Sequence, residues 1–111
     1  MEMSYYDKLR KISTVVEKYK NLELVDFIRR SLTECGFDEA LMNNVYIGED
    51  VNYPNSFGCY RVEDKITAYF VNDQGSKRIK EYLNMAEFMI MFVRTAPLSE
   101  KYESAGKTLL E

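Results

Sequence analysis

Cys35 and Cys59 are the only cysteines in the chain, and no histidine accompanies them. A structural zinc site draws four ligands from those two residue types, so the pair falls short of one. No window has the alternating Asp/Asn ligands and closing Glu of a calcium loop. Without histidine there is no imidazole general base and no Ser-His or Cys-His nucleophile. Carboxylates and lysines remain, but no spacing singles out a pair. Gly36, Gly48, Gly58, Gly75 and Gly106 stand apart from one another, as turn and cap residues do, rather than clustering in a phosphate-binding loop. The expectation is a non-enzymatic chain with no catalytic residues, no metal and no cofactor. With no export signal at Met1–Lys20, both thiols are expected to be reduced and partly buried.

Residues suited to contact lie near the midpoint. Segment 37–64 carries Asp38, Glu39, Glu49, Asp50, Glu63 and Asp64 against Arg61 alone, while the flanking segments are each close to neutral, giving the net charge of −3. Acidic surface repels phosphate backbones and suits a basic protein partner, so nucleic acid is not expected. Within this stretch Tyr46, Glu49, Asp50, Tyr53, Asn55, Tyr60, Glu63 and Asp64 are the candidate partner-binding residues. Tyrosine offers large, rigid contact area, and asparagine offers adaptable hydrogen bonds. They form one surface only if the 48–58 loop and the Glu63-Asp64 turn meet at the same end of a sheet. Ordinary solvated turns are the alternative.

The positioning elements follow from periodicity. Length predicts one domain of 111 residues, with 98–111 a short helix or a frayed tail. Ser4 and Asp7 resemble a capping box ahead of a helix over 5–20, whose inner face is Tyr5, Leu9, Ile12, Val16 and Tyr19. A second, antiparallel helix runs from about Glu23, with Val25, Ile28, Leu32 and Cys35 inward and Gly36 as its left-handed cap. A further helical turn over 38–42 and a short β run over 45–47 precede the loop. Strands are predicted over 59–62, 66–71 and 77–83, joined by turns at Glu63-Asp64 and Asn72–Gly75. Ile66, Ala68 and Phe70 face the core with Ile79, Glu81 and Leu83. Thr67, Tyr69, Arg78, Lys80 and Tyr82 occupy an open face, where Tyr69 and Tyr82 could stack. Asn84 and Glu87 open a last helix that Pro97 limits, with Met85, Phe88, Met89, Phe92, Val93 and Ala96 as its buried stripe. Its other side is also apolar, from sandwiching or from a homodimer contact. The fold class is α+β: two antiparallel N-terminal helices, a three- to four-stranded antiparallel sheet, and a helix after the meander packed on one sheet face. The longest apolar run, Phe88–Val93, is too short to span a membrane, which predicts a cytoplasmic protein.

One stretch, Cys59–Ala96, has a specific cadence. A tyrosine-bearing strand leads to Tyr69-Phe70-Val71-Asn72-Asp73-Gln74-Gly75, then to Tyr82-Leu83-Asn84-Met85-Ala86-Glu87. It resembles the hairpin-then-helix segment of small immunity proteins from bacterial polymorphic-toxin systems of the contact-dependent inhibition type. The chain departs from that pattern at Gln74, where arginine is expected, and at Phe88, where a small residue is expected. The resemblance covers about a third of the chain and implies a cytoplasmic protein that neutralises one toxin domain, such as a basic one, by occluding it. A small ligand-sensing or regulatory domain using the open sheet face is the alternative.

Overall fold

The structure is a computed structural model that describes residues 3–49, 51–98 and 102–110. Helix α1 (Tyr5–Tyr19) begins where Ser4 Oγ accepts the amide N–H of Asp7 at 3.2 Å. Helix α2 (Leu24–Cys35) ends on Gly36 at φ 87°, and the Phe37 N–H donates back to the Leu32 carbonyl at 2.9 Å. Only a residue without Cβ enters that left-handed cap freely. The two helices pack side by side, and Lys18 Nζ reaches Glu34 Oε1 at 2.7 Å. Tyr5 is not in the core: it is 49% exposed, because its ring edges onto Phe37, beyond the α2 cap, and not into the helix pair.

A 3-10 turn over Glu39–Asn44, capped by Asp38, delivers the chain to β1 (Val45–Ile47). Strands β2 (Ser56–Val62), β3 (Lys65–Val71) and β4 (Lys77–Tyr82) complete a sheet of order β1-β2-β3-β4. The fold is α+β as the periodicity predicts, and β2-β3-β4 is an antiparallel meander. The first strand differs: β1 runs parallel to β2, pairing Tyr46 with Gly58. Residues Gly48–Asn55 must therefore cross the sheet to return to the start of β2. Strand β2 also begins three residues earlier than the sequence predicts, because that crossing replaces most of the expected loop.

The pleat of β4 is opposite to the sequence expectation. Val71 pairs with Lys77, so the β3–β4 loop has five residues, Asn72–Ser76. Asn72 Oδ1 accepts the amides of Gln74 and Ser76, both at 2.9 Å, and this holds Ser76 inside the loop. A four-residue turn would have placed Arg78 across from Tyr69; the extra residue moves every β4 side chain to the other face. Arg78, Lys80 and Tyr82 thus share the helix-covered face with Phe70, Ala68 and Ile66, while Ile79 and Glu81 stand beside Tyr69 and Thr67. Tyr82 is buried against Phe88, with ring centroids 6.0 Å apart. It lies on the opposite face from Tyr69, so those two rings do not stack. Ile79 and Leu83 are exposed instead of inward.

Helix α3 (Met85–Thr95) starts where Asn84 Oδ1 accepts the Ala86 and Glu87 amides. It packs on the sheet through Phe92 against Phe57 and also contacts α1. Phe88, Met89, Met91, Phe92 and Val93 are buried, so its apolar circumference is used within the chain. Helix α4 (Tyr102–Leu110) covers the Phe70 end of the sheet and buries Leu109. Among the described residues no helix is long and apolar enough to cross a membrane.

Arg61 ties the two halves together. Its Nη1 donates to the carbonyls of Lys20 (2.8 Å) and Leu22 (3.2 Å) in the α1–α2 connection, and its Nε donates to Glu63 (3.2 Å) in the β2–β3 turn. A charged donor serving three backbone acceptors contributes more than a neutral one. Arg61→Ala should lower the unfolding free energy by about 1–2 kcal/mol in urea titrations. Arg61→Lys, which cannot fork, should recover less than half of the loss; full recovery would mean the geometry is dispensable.

Burial pushes the Cys59 thiol from 9.0 up to about 12, and burial followed by the Glu87 charge pushes Tyr82 from 10.0 up to about 12. Both groups ionise earlier in the unfolded chain, so their neutral forms stabilise the fold below pH 9 and that stability is lost as pH rises toward 12. Urea midpoints followed across this alkaline range should fall, and the fall should be shallower in Cys59→Ala. A flat profile, or rapid labelling of Cys59 by a thiol reagent in the native state at neutral pH, would contradict the burial argument.

Candidate functional site

The sheet face turned away from the helices is built around Tyr69. Its neighbours across β2 and β4 are Gly58 and Ile79. The Tyr69 ring lies flat over Gly58: a Cβ placed there would sit 2.4 Å from both Cζ and the hydroxyl oxygen, well inside any allowed contact. A strand-interior glycine that weakens its own strand is thus required for close approach of the ring. Tyr69 is fully buried although it points away from the core. Its cover is the crossing loop and Lys77, whose Nζ lies 4.5 Å from the ring centroid. The Tyr69 hydroxyl donates to the Gly48 carbonyl at 2.6 Å, and Lys77 Nζ donates to the Glu49 carbonyl at 3.3 Å. Both bonds hold the start of the loop down on the sheet.

The rest of the loop closes with its own contacts. Tyr53 stacks on Tyr46 of β1 at 5.6 Å between centroids, with an interplanar angle of 31°. Ser56 Oγ donates to the Tyr53 carbonyl, and Asn55, at φ 58°, donates its amide to the Asn72 carbonyl at 3.4 Å. Tyr60 lies 6.2 Å from Tyr69. The result is an outward surface of Tyr46 (43% exposed), Tyr53 (65%), half-buried Tyr60, and the flanking Val62 and Ile79, both about half exposed. Aromatic and aliphatic area left in solvent and held in one geometry can bind without a large ordering cost.

Of the eight residues anticipated from sequence, Tyr46, Glu49, Tyr53 and Tyr60 come together here. Asp50 lies outside the described residues. Asn55 borders a different cleft, on the helix side beside Arg78. Glu63 and Asp64 sit at the far end of β2, where Asp64 lines a groove with Lys20, Arg61 and Ala86. Gly48, which precedes Glu49, donates its amide to the Cys59 carbonyl, and Cys59 stands four residues before Glu63, roughly 13 Å along β2 at ~3.3 Å per residue. Glu49 lies over the outer sheet face beside Lys77, and Glu63-Asp64 lie in the turn that follows β2. Lys77, Val62 and Ile79 belong to this face but were not anticipated on it, whereas Tyr69, anticipated on an open face, lies buried beneath the loop. The available signal was Gly58, an isolated glycine beside a strand, which is more informative as a close-approach site than as a loop end.

Among the described residues no group of three or more cysteine and carboxylate side chains could hold a metal. No family model matches the chain, and neither a curated protein nor a solved structure does.

If Gly58 exists to admit the Tyr69 ring, their substitutions must be coupled. Gly58→Ala should cost about 3 kcal/mol through overpacking, and Tyr69→Ala a similar amount through lost burial. The double variant should fall short of the sum by at least about 1 kcal/mol in a urea-denaturation cycle. Additive losses would show that the ring and the glycine act independently.

Proposed function

We propose that the chain is a non-catalytic protein-binding domain that neutralises a partner by covering it, with the tyrosine face as its contact surface. The observation that carries this reading is Tyr53, the most exposed ring of that face, stacked on Tyr46 in a loop pinned through Tyr69 and Lys77. Rigid tyrosines surrounded by smaller apolar groups are the usual anchors of protein interfaces. The likeness of Cys59–Ala96 to immunity proteins supplies the class of partner: a toxin domain met in the cytoplasm, whose active surface or substrate entry is blocked. A cationic toxin surface would meet Glu49 at the rim, which favours faster encounter more than tighter binding. A ligand platform formed by Tyr69 and Tyr82 is not supported, since one ring is under the loop and the other faces α3.

The test is co-expression with the toxin domain encoded beside the chain's own gene, followed by size-exclusion chromatography and calorimetry. A stoichiometric complex is expected, with Tyr46→Ala and Tyr53→Ala each weakening it by roughly tenfold or more at unchanged urea midpoints. Glu49→Lys should slow association chiefly at low salt. A neighbour product that does not bind, or a complex indifferent to both tyrosine substitutions, would overturn the proposal.

A further inference from the structure

A second recess lies on the other side of the sheet, between α4 and the β3–β4 loop, with a volume of about 510 Å³. The five-residue loop that reverses the β4 pleat is what brings Arg78 to it, as the cross-strand partner of Phe70. Arg78 and Lys107 supply two cations at its walls, and Asp73 and Glu103 supply two anions. All four are exposed, and none forms an ion pair among the described residues. Phe70, only 3% exposed, gives the recess an apolar floor.

Gly106 sharpens the case. It sits inside α4, where glycine costs about 1 kcal/mol relative to alanine. Packing does not demand it: an added Cβ would lie 3.6 Å from Phe70 Cδ1 and 4.0 Å from Arg78 Nη1, both ordinary contact distances. What the missing methyl does is leave open the strip between the aromatic floor and the guanidinium.

We propose that this recess binds a small zwitterion of the amino-acid class, with its carboxylate on Arg78 and Lys107, its ammonium on Asp73 and Glu103, and its apolar portion over Phe70 and Gly106. Arginine suits a carboxylate because its planar fork donates two parallel hydrogen bonds. The volume is in the range of small-molecule sites. The site is on the opposite sheet face from Tyr46 and Tyr53, so it stands or falls independently of the protein-binding surface.

The test titrates each free L-amino acid into the ¹⁵N-labelled full chain, with acetate and ethylammonium as probes of one charge only. At least one amino acid should shift the Gly106 and Asn72 amides saturably, with a Kd of about 1 mM or tighter, and neither single-charge probe should do so. Arg78→Gln and Glu103→Gln should each weaken that binding by roughly tenfold with the remaining spectrum unchanged. Gly106→Ala separates binding from folding, since it should raise the melting temperature while weakening the ligand. The inference is overturned if no amino acid produces saturable shifts by about 10 mM, if acetate alone reproduces them, or if Gly106→Ala binds as tightly as the parent chain.

Discussion

The contact of the Tyr69 ring with the bare backbone of Gly58 is the constraint around which the outer sheet face is organised. A parallel β1–β2 pair ordinarily needs a connection of about a dozen residues or more, commonly a helix. Here only Gly48–Asn55 spans the gap, and so short a connection must lie close to the sheet. It can do so because Gly58 lets a large ring lie flat, and because that ring offers a hydroxyl to the loop's first carbonyl. Lys77 adds a cation over the same ring and a second hydrogen bond to the loop. The loop is thus part of the packed structure on its inner side while its outer side carries Tyr53.

In this arrangement one element serves stability and, on the proposed reading, recognition. Tyr69 fills the space under the loop as a core residue would, although it belongs to the face away from the main core. Tyr53 and Tyr46 lie one layer further out, where their rings cover each other in part and solvent in part. Loss of the inner ring would release the outer pair, whereas loss of the outer pair leaves the inner contacts in place.

Helices and strands were legible in the sequence wherever a local signal determines them. Ser4, Gly36 and Asn84 act through hydrogen bonds within a few residues, so the boundaries of α1, α2 and α3 follow from nearby side chains. The pleat of β4 was not legible, because it depends on whether Ser76 belongs to the loop or the strand, which Asn72 decides through its side-chain oxygen. One residue of loop length moved Arg78, Lys80 and Tyr82 to the helix side and Ile79 to the solvent side. The direction of β1 was equally hidden, since a three-residue strand carries no record of which neighbour it joins. The candidate site inherits both gaps: its tyrosines were recognised by type, but Tyr69's burial and the separation of the acidic residues depend on non-local pairing.

That separation changes which force can dominate recognition. Glu49 follows Gly48, which is bonded to the Cys59 carbonyl, whereas Glu63-Asp64 follow the end of β2, roughly 13 Å further along the strand at ~3.3 Å per residue. Exposed charges are screened over about 8 Å at physiological ionic strength, so these groups act as distinct local charges and not as one steering field. Asp64 also faces a groove shared with Lys20 and Arg61, which offsets part of its potential. The apolar area of Tyr46, Tyr53, Val62 and Ile79 lies on one sheet face, with Tyr46 and Tyr53 in contact, and is not screened by salt. On the proposed reading, affinity at this surface would come mainly from desolvating aromatic and aliphatic groups, with Glu49 setting the rate of approach more than the strength of the complex.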